Sequence, residues 1–380
     1  MVTIGLVGKP SSGKSSFFKA ATLKDVEISE VPFTTIKPNV GIAFVSFNCV
    51  EKEFGVKCNP RLGFCKNGKR FVPVKLIDVG GLIPGSHAGR GIGNKFLDDL
   101  RQADVLIQVI DMSGLTDEEG KPTDNFDPEI EIKFLEEEIN LWFESIVKRG
   151  IEKIKKEKDP VEALAKQFSG LGASKKDIEE VLSKVSYTNV KKFAEELRKK
   201  VKPILLAANK IDIKKAQDNF VKLSKKYQNL VPTSALAEII LKELDKKGVI
   251  EYLPGNGFTV ISEEKLNERE KRALSLIKEL IEKFGSTGVQ TCLNKAVFDL
   301  ANYIPVYPVA DSKRLTDKEG NILPDVFLVK RGTKLKEFAY KIHTDIGKGF
   351  ICGIDAKTGK KLSADYVLKP NDVVEIKFRK

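Results

Sequence analysis

The run Gly8-Lys9-Pro10-Ser11-Ser12-Gly13-Lys14-Ser15 constrains this chain more than any other stretch. It fits G-x-x-x-x-G-K-S/T without a mismatch and lies between an apolar strand, Val2 to Val7, and a helix-competent stretch, Ser16 to Thr22. A turn of that kind aims successive backbone N–H groups at one point, and the helix that follows adds favourable partial charge for an anion. Lys14 can reach the β and γ oxygens of a polyphosphate, and Ser15 can ligate Mg²⁺. The pattern therefore predicts a nucleoside triphosphate site between the first strand and the first helix.

At 380 residues the chain exceeds a single hydrophobic core, so two or three domains are expected. No apolar run approaches the roughly 20 residues that span a bilayer, and the N-terminus begins a strand without a basic-then-apolar leader. A cytoplasmic protein with no membrane partner is expected. Five cysteines, an odd number in a chain with this much core, predict reduced thiols rather than a disulfide framework. Cys49, Cys58 and Cys65 fall close together, but a structural zinc wants four ligands and neither His87 nor His343 lies at finger spacing, so no metal is expected there. The net charge of +12 favours polyanionic partners such as RNA.

Strand-like runs recur at Val2 to Val7, Val40 to Phe47, Phe71 to Ile77, Val105 to Ile110, Ile204 to Ala208 and near Val231, with helical patterns between several of them. This alternation predicts an α/β core with a mostly parallel sheet. Residues 116–200 interrupt it and read as helical throughout. Asp127-Pro128 supplies a cap and a first helical proline, and Ile132, Leu135, Ile139, Trp142 and Ile146 form one apolar stripe. Further helices should start at Asp159-Pro160, Ser174 and Thr188, giving an antiparallel insert whose first helix ends in a basic run from Lys148 to Lys158. From residue 306 onward short strands, one helix and glycine turns describe a small α+β module with sixteen Lys or Arg against ten Asp or Glu. The expected organisation is a core of residues 1–115 and 201–305, an insert of 116–200 and a module of 306–380.

Three further segments belong with the phosphate loop. Pro32-Phe33-Thr34-Thr35 lies between the first helix and the second strand, where the Thr35 hydroxyl can complete Mg²⁺ coordination. Leu76-Ile77-Asp78-Val79-Gly80-Gly81 ends an apolar strand in Asp-x-x-Gly. There Asp78 can hold the metal's water shell and Gly81 can bring its N–H to the γ-phosphate. Asn209-Lys210-Ile211-Asp212 follows the strand Ile204 to Ala208. A carboxylate at Asp212 accepts from both guanine N1–H and N2–H₂, a donor pair adenine lacks, and Ser234-Ala235 can support the base edge through backbone amides. GTP with Mg²⁺ is the expected ligand pair, held at the phosphates by Gly8, Lys9, Pro10, Ser11, Ser12, Gly13, Lys14, Ser15, Ser16 and Gly81.

Four pieces in this order, each after an apolar strand, resemble the G-domain of translation-factor-class GTPases. The glycines at 80, 81, 85, 89, 91 and 93 resemble the second switch of the Obg superfamily. With the helical insert, Leu323 to Gly332 and Ile342-His343-Thr344-Asp345, the chain resembles the YchF branch. That resemblance implies a P-loop GTPase core, a coiled-coil-like insert, a C-terminal β-grasp TGS domain and a link to ribosomes. Many YchF members carry an altered base reader and prefer ATP, whereas Asn209 to Asp212 is the standard guanine form. Related loops often place an Asn where Ser11 stands, and that Asn helps bind K⁺.

Hydrolysis needs an oriented water in line with the γ-phosphorus, and the residue after Asp-x-x-Gly is usually a glutamine that positions it. Here it is Leu82, which predicts slow intrinsic turnover with a group supplied by a partner or by another part of the chain. His87 can orient that water or can simply face solvent. The expected protein is thus a GTP hydrolase acting as a monomeric switch on ribosomes or RNA. A small-molecule phosphotransferase and an RNA-binding protein with structural GTP are the alternatives.

Overall fold

A computed structural model describes residues 1–22, 39–80, 99–154 and 157–379. Thr35, Gly81, Leu82 and His87 lie outside the described residues. Among the described residues no helix is long and apolar enough to cross a membrane.

The first sheet is built from β1 (Thr3–Val7), β2 (Val40–Asn48), β3 (Phe64–Lys66), β4 (Lys69–Asp78), β5 (Val105–Asp111), β6 (Ile204–Asn209) and β7 (Leu230–Pro232). Its order is β2-β4-β1-β5-β6-β7, with β3 paired to β4. All neighbours from β4 to β7 run parallel, and only β2 and β3 are antiparallel to β4. The runs Ile4 to Val7, Val105 to Ile110 and Leu205 to Ala208 are apolar apart from Gly5 and Gln108 because both faces of the central strands are covered. One face packs on the helices Lys14–Ala21 and Val289–Asn294, the latter running on through Lys295–Leu300. The other packs on the helical insert through Val7, Ile77, Leu106, Leu135, Ile139 and Trp142.

The insert consists of helices Pro128–Ile154, Pro160–Phe168, Lys175–Leu182 and Val190–Val201. Asp159 accepts from the N–H groups of Val161 and Glu162, and Ser174 with Asp177 forms a reciprocal capping box. The last helix is capped by Asn189 rather than Thr188. Residues 116–126 are not helical. Asp117 there accepts from the N–H groups of Glu119 and Lys121, which closes a turn in competition with a helix.

A two-stranded ribbon, β8 (Ile250–Tyr252) with β9 (Phe258–Val260), precedes the capped helix Glu268–Phe284. The second sheet comprises β10 (Tyr303–Val309), β11 (Phe327–Lys330), β12 (Phe350–Asp355), β13 (Lys361–Leu362) and β14 (Asp372–Phe378), in the order β11-β10-β14-β12-β13. Helix Leu335–Ile342 lies on it through Leu335 and Phe338. Because β10 starts at Tyr303, a boundary at residue 306 falls inside a strand. The mixed sheet with one helix across it is a β-grasp arrangement.

Candidate functional site

The phosphate loop leaves β1 at Val7 and turns through left-handed backbone at Ser11 (φ 61°) and Gly13 (φ 92°) into the helix Lys14–Ala21. Gly8 and Gly13 are dictated by contact as well as conformation. A Cβ at Gly8 would lie 2.6 Å from the Val109 carbonyl oxygen, and one at Gly13 would lie 2.2 Å from Asn209 Nδ2. The loop is seated on β5 on one side and on the end of β6 on the other. Ser12 is fully buried with its Oγ unpartnered among the described residues, while Ser15 and Ser16 are exposed at the helix start.

Asp78 ends β4, adjacent in the sheet to β1, and its Oδ1 pairs with Lys14 Nζ. Lys14 and Asp78 thus meet across the mouth of the loop, where an oxygen-rich donor set of Asp78 and Ser15 suits a hard cation such as Mg²⁺. The cradle that a Cβ would fill, the orphaned Ser12 hydroxyl and this donor set together fit a magnesium-bound polyphosphate.

Asn209 connects the two halves of the site. Its Nδ2 donates to the Ser12 carbonyl at 3.0 Å, and its Oδ1 accepts from the Ala235 N–H at 3.1 Å. Lys210 has left-handed backbone (φ 64°) and extends Nζ to Asp111 Oδ2 at 2.9 Å. Asp212 is exposed, and its Oδ1 accepts from the Ser234 hydroxyl at 2.6 Å. Ser234 also caps the helix Ala235–Lys246 by accepting from the Ala237 N–H.

Residues 3–144 match the family described as 50S ribosome-binding GTPase, 207–311 the Obg-like GTPase YGR210-like, G4 motif-containing domain, and 315–378 the TGS domain. A GTP-binding protein of Methanocaldococcus jannaschii is 48% identical over 389 residues, spanning 99% of both chains. The crystal structure of a GTP-binding protein from Pyrococcus horikoshii superposes over the full length of both chains, with a TM-score of 0.78 at 38% identity. This chain belongs to the Obg-like GTPases of the YchF branch. The Schizosaccharomyces pombe YchF GTPase shares the fold, with a TM-score of 0.58 at 19% identity over 99% of this chain and 97% of that one.

Three residues of this YchF-type GTPase act differently from the expectation. Lys9 does not turn its side chain to the phosphates: it is 1% exposed and donates to Thr116 Oγ1 at 2.5 Å and to the Thr116 carbonyl at 3.2 Å. The apolar wall of Phe126 and the carboxyl of Glu131, 3.9 Å away, draw it inward. The backbone amides of Ser234 and Ala235 are not free for a base edge either, since they donate to the Thr287 carbonyl and to Asn209. These two residues instead fix Asp212 and Asn209.

A buried ionic cluster under the loop escaped the sequence reading. Asp111, at the end of β5, accepts from Ser113, Thr116 and Lys210, which hold its carboxyl below the usual range against the opposing effect of burial. Glu131, in the first turn of the insert, is fully buried, and Oε2 accepts from the Asp111 N–H at 3.2 Å. Burial pushes its carboxyl up to about 8 against the pull of Lys9. The available signal was an apolar strand ending in Asp, the same pattern that marked Asp78.

Proposed function

We propose that this chain binds GTP with Mg²⁺, hydrolyses it slowly to GDP and phosphate, and uses the nucleotide state to control a contact with the ribosome or its RNA. The observation that carries this reading is the Asn209 bridge. One amide ties the loop that would hold the phosphates to the segment that would hold the base, so both ends of one nucleotide fall within a single rigid frame. Asp212 is steadied by Ser234 and offers its second oxygen, with the first, to the N1–H and N2–H₂ of guanine.

In this reading Ser15, Asp78 and Thr35 hold the metal, and Gly81 donates its N–H to the γ-phosphate. When bound there, Mg²⁺ would supply charge neutralisation to the polyphosphate. With a nucleotide bound, Lys14 would turn from Asp78 to the phosphate oxygens, and the Asp78 carboxylate would be free to help hold the metal. With Leu82 after the Asp-x-x-Gly glycine, no side chain at that position orients the attacking water. His87, five residues on in the chain, is one candidate to supply the function, and a ribosomal partner is the other.

The match of residues 3–144 to a ribosome-binding GTPase family, together with the basic C-terminal module, supports a ribosomal destination. Co-sedimentation tests it. The chain should pellet with ribosomes several-fold more when loaded with a non-hydrolysable GTP analogue than with GDP, and ribosomes should raise phosphate release. Binding indifferent to nucleotide, with flat phosphate release, would favour an RNA-binding protein in which GTP is structural. His87→Ala with unchanged single-turnover hydrolysis would remove that residue from the mechanism.

A further inference from the structure

We infer that Cys49, Glu51, Cys58 and Cys65 form a structural zinc site that fastens the C-terminal module to the nucleotide-binding core. The three sulfurs and one Glu51 carboxylate oxygen all lie within 4.8 Å of one another. The Cys49 and Cys58 sulfurs are 3.7 Å apart, and the Cys65 sulfur is 3.4 Å from Glu51 Oε1. A tetrahedral zinc with metal–sulfur bonds of about 2.3 Å and a metal–oxygen bond of about 2.0 Å needs edges of about 3.8 Å between sulfurs and about 3.5 Å from sulfur to oxygen. Two edges therefore already have the required length, and the remaining ones close by side-chain rotation of about an ångström.

The fourth ligand is a carboxylate, which is why spacing rules built on cysteine and histidine do not find it. Local structure delivers all four. Cys49 follows β2 and donates its N–H to the Gly68 carbonyl. Glu51 opens a single helical turn, Glu51–Phe54, that ends at Gly55 in left-handed backbone and sends the chain back to Cys58. Asn67 and Gly68, both left-handed, make the tight turn between β3 and β4 that returns Cys65.

The surroundings are those of a metal site rather than of cysteines packed as small apolar residues. Cys49 and Cys58 are 5% and 8% exposed, walled by Val50, Tyr307 and Leu323. Cys65 is half-buried, and so is Glu51 with its carboxylate, which leaves an ion a way in from solvent. The carboxylate's orientation is also fixed from outside: Glu51 Oε2 accepts from the Cys58 N–H at 3.2 Å, leaving Oε1 toward the sulfurs. The Tyr307 hydroxyl, from the second sheet, donates to the Cys49 sulfur at 3.9 Å. On binding, each thiol would release its proton to solvent as the thiolate takes the metal.

The loop that carries these ligands is the one that grips the C-terminal module. The Asn59 and Arg61 N–H groups donate to the carbonyls of Ile322 and Pro324, and the Arg61 guanidinium pairs with Asp317 at 2.6 Å. A zinc at residues 49–65 would hold that loop in the shape the contacts require. It bears on how the module is carried and is independent of which nucleotide is bound.

The test is the metal content of the full-length chain, purified without chelator from zinc-containing medium. One zinc per chain is expected, and Cys58→Ser or Cys65→Ser should lose at least nine-tenths of it while Cys352→Ser keeps it all. On wild-type protein stripped of zinc, added Co²⁺ should give a thiolate-to-cobalt charge-transfer band that saturates at one equivalent and disappears on adding Zn²⁺. Removing zinc should also speed hydrogen exchange several-fold at residues 317–325. A wild-type chain with neither zinc nor a cobalt band, a Cys49–Cys58 disulfide in its peptides, or full zinc in Cys58→Ser overturns the site. Exchange at 317–325 that ignores zinc overturns the fastening role.

Discussion

The Asn209 amide is engaged at both ends, by the Ser12 carbonyl and the Ala235 N–H, so its truncation removes a brace rather than a ligand. Two buried hydrogen bonds at about 1 to 1.5 kcal/mol each predict that Asn209→Ala weakens GTP binding about 10²-fold. Calorimetric titration checks this, and affinity within about threefold of wild type would contradict the brace. Gly13→Ala is a sharper perturbation, because the added Cβ meets the same amide and the backbone is left-handed. It should abolish nucleotide binding while costing about 1 to 3 kcal/mol of stability in a denaturant titration; unaltered binding would show that the loop accommodates a side chain. At this scale the sequence spoke clearly about residue types in a phosphate loop, an Asp-x-x-Gly and a base reader. It could not say which way a side chain points. Lys9 was assigned to the phosphates on position alone, while an aromatic ring and a buried carboxyl more than a hundred residues on draw it inward.

The helix Pro128–Ile154 enters the core through Glu131, whose buried carboxyl faces Lys9, Asp111 and Lys210. In the unfolded chain this group ionises near 4.5, whereas in the fold it keeps its proton to about 8. The folded state therefore binds more protons between those values, and the contribution to stability falls as pH rises through the window. Glu131→Gln copies the protonated form. Its melting temperature should gain on wild type steadily from pH 5 to pH 8, as differential scanning calorimetry would read; parallel curves would show that Glu131 does not titrate there. Most elements were legible because apolar runs and caps sit next to one another in the chain. Asp159 and Ser174 start helices where their spacing predicts, and β1, β2, β4, β5 and β6 follow the apolar runs. The stretch 116–126 was misread as helix because the Asp117 side chain captures the N–H groups that a helix would need. The β3–β4 hairpin was overlooked although Asn67-Gly68 is a strong turn signal, since β3 is only three residues long.

At the scale of the whole molecule the second sheet is joined to the first through buried polar contacts as well as apolar ones. Arg70, fully buried on β4, donates to the carbonyls of Leu323 at 3.1 Å and Pro324 at 2.7 Å. Arg70→Ala leaves both carbonyls without a donor and opens a cavity, which predicts a loss of about 2 to 4 kcal/mol and separate melting of the C-terminal module. A single unshifted transition in calorimetry would show that the join does not depend on it. The joint between modules was the least legible part of the chain, because its partners lie some 250 residues apart and share no local pattern. The central claim is that the cradle at Gly8 to Ser15 and the carboxylate of Asp212 hold opposite ends of one guanine nucleotide. Calorimetric titration of the magnesium-loaded chain with GTP and ATP, beside Asp212→Asn, tests it most directly. GTP should bind at least about 10³-fold more tightly than ATP, with that preference lost in the variant; ATP held as tightly as GTP by the wild-type chain would contradict the claim.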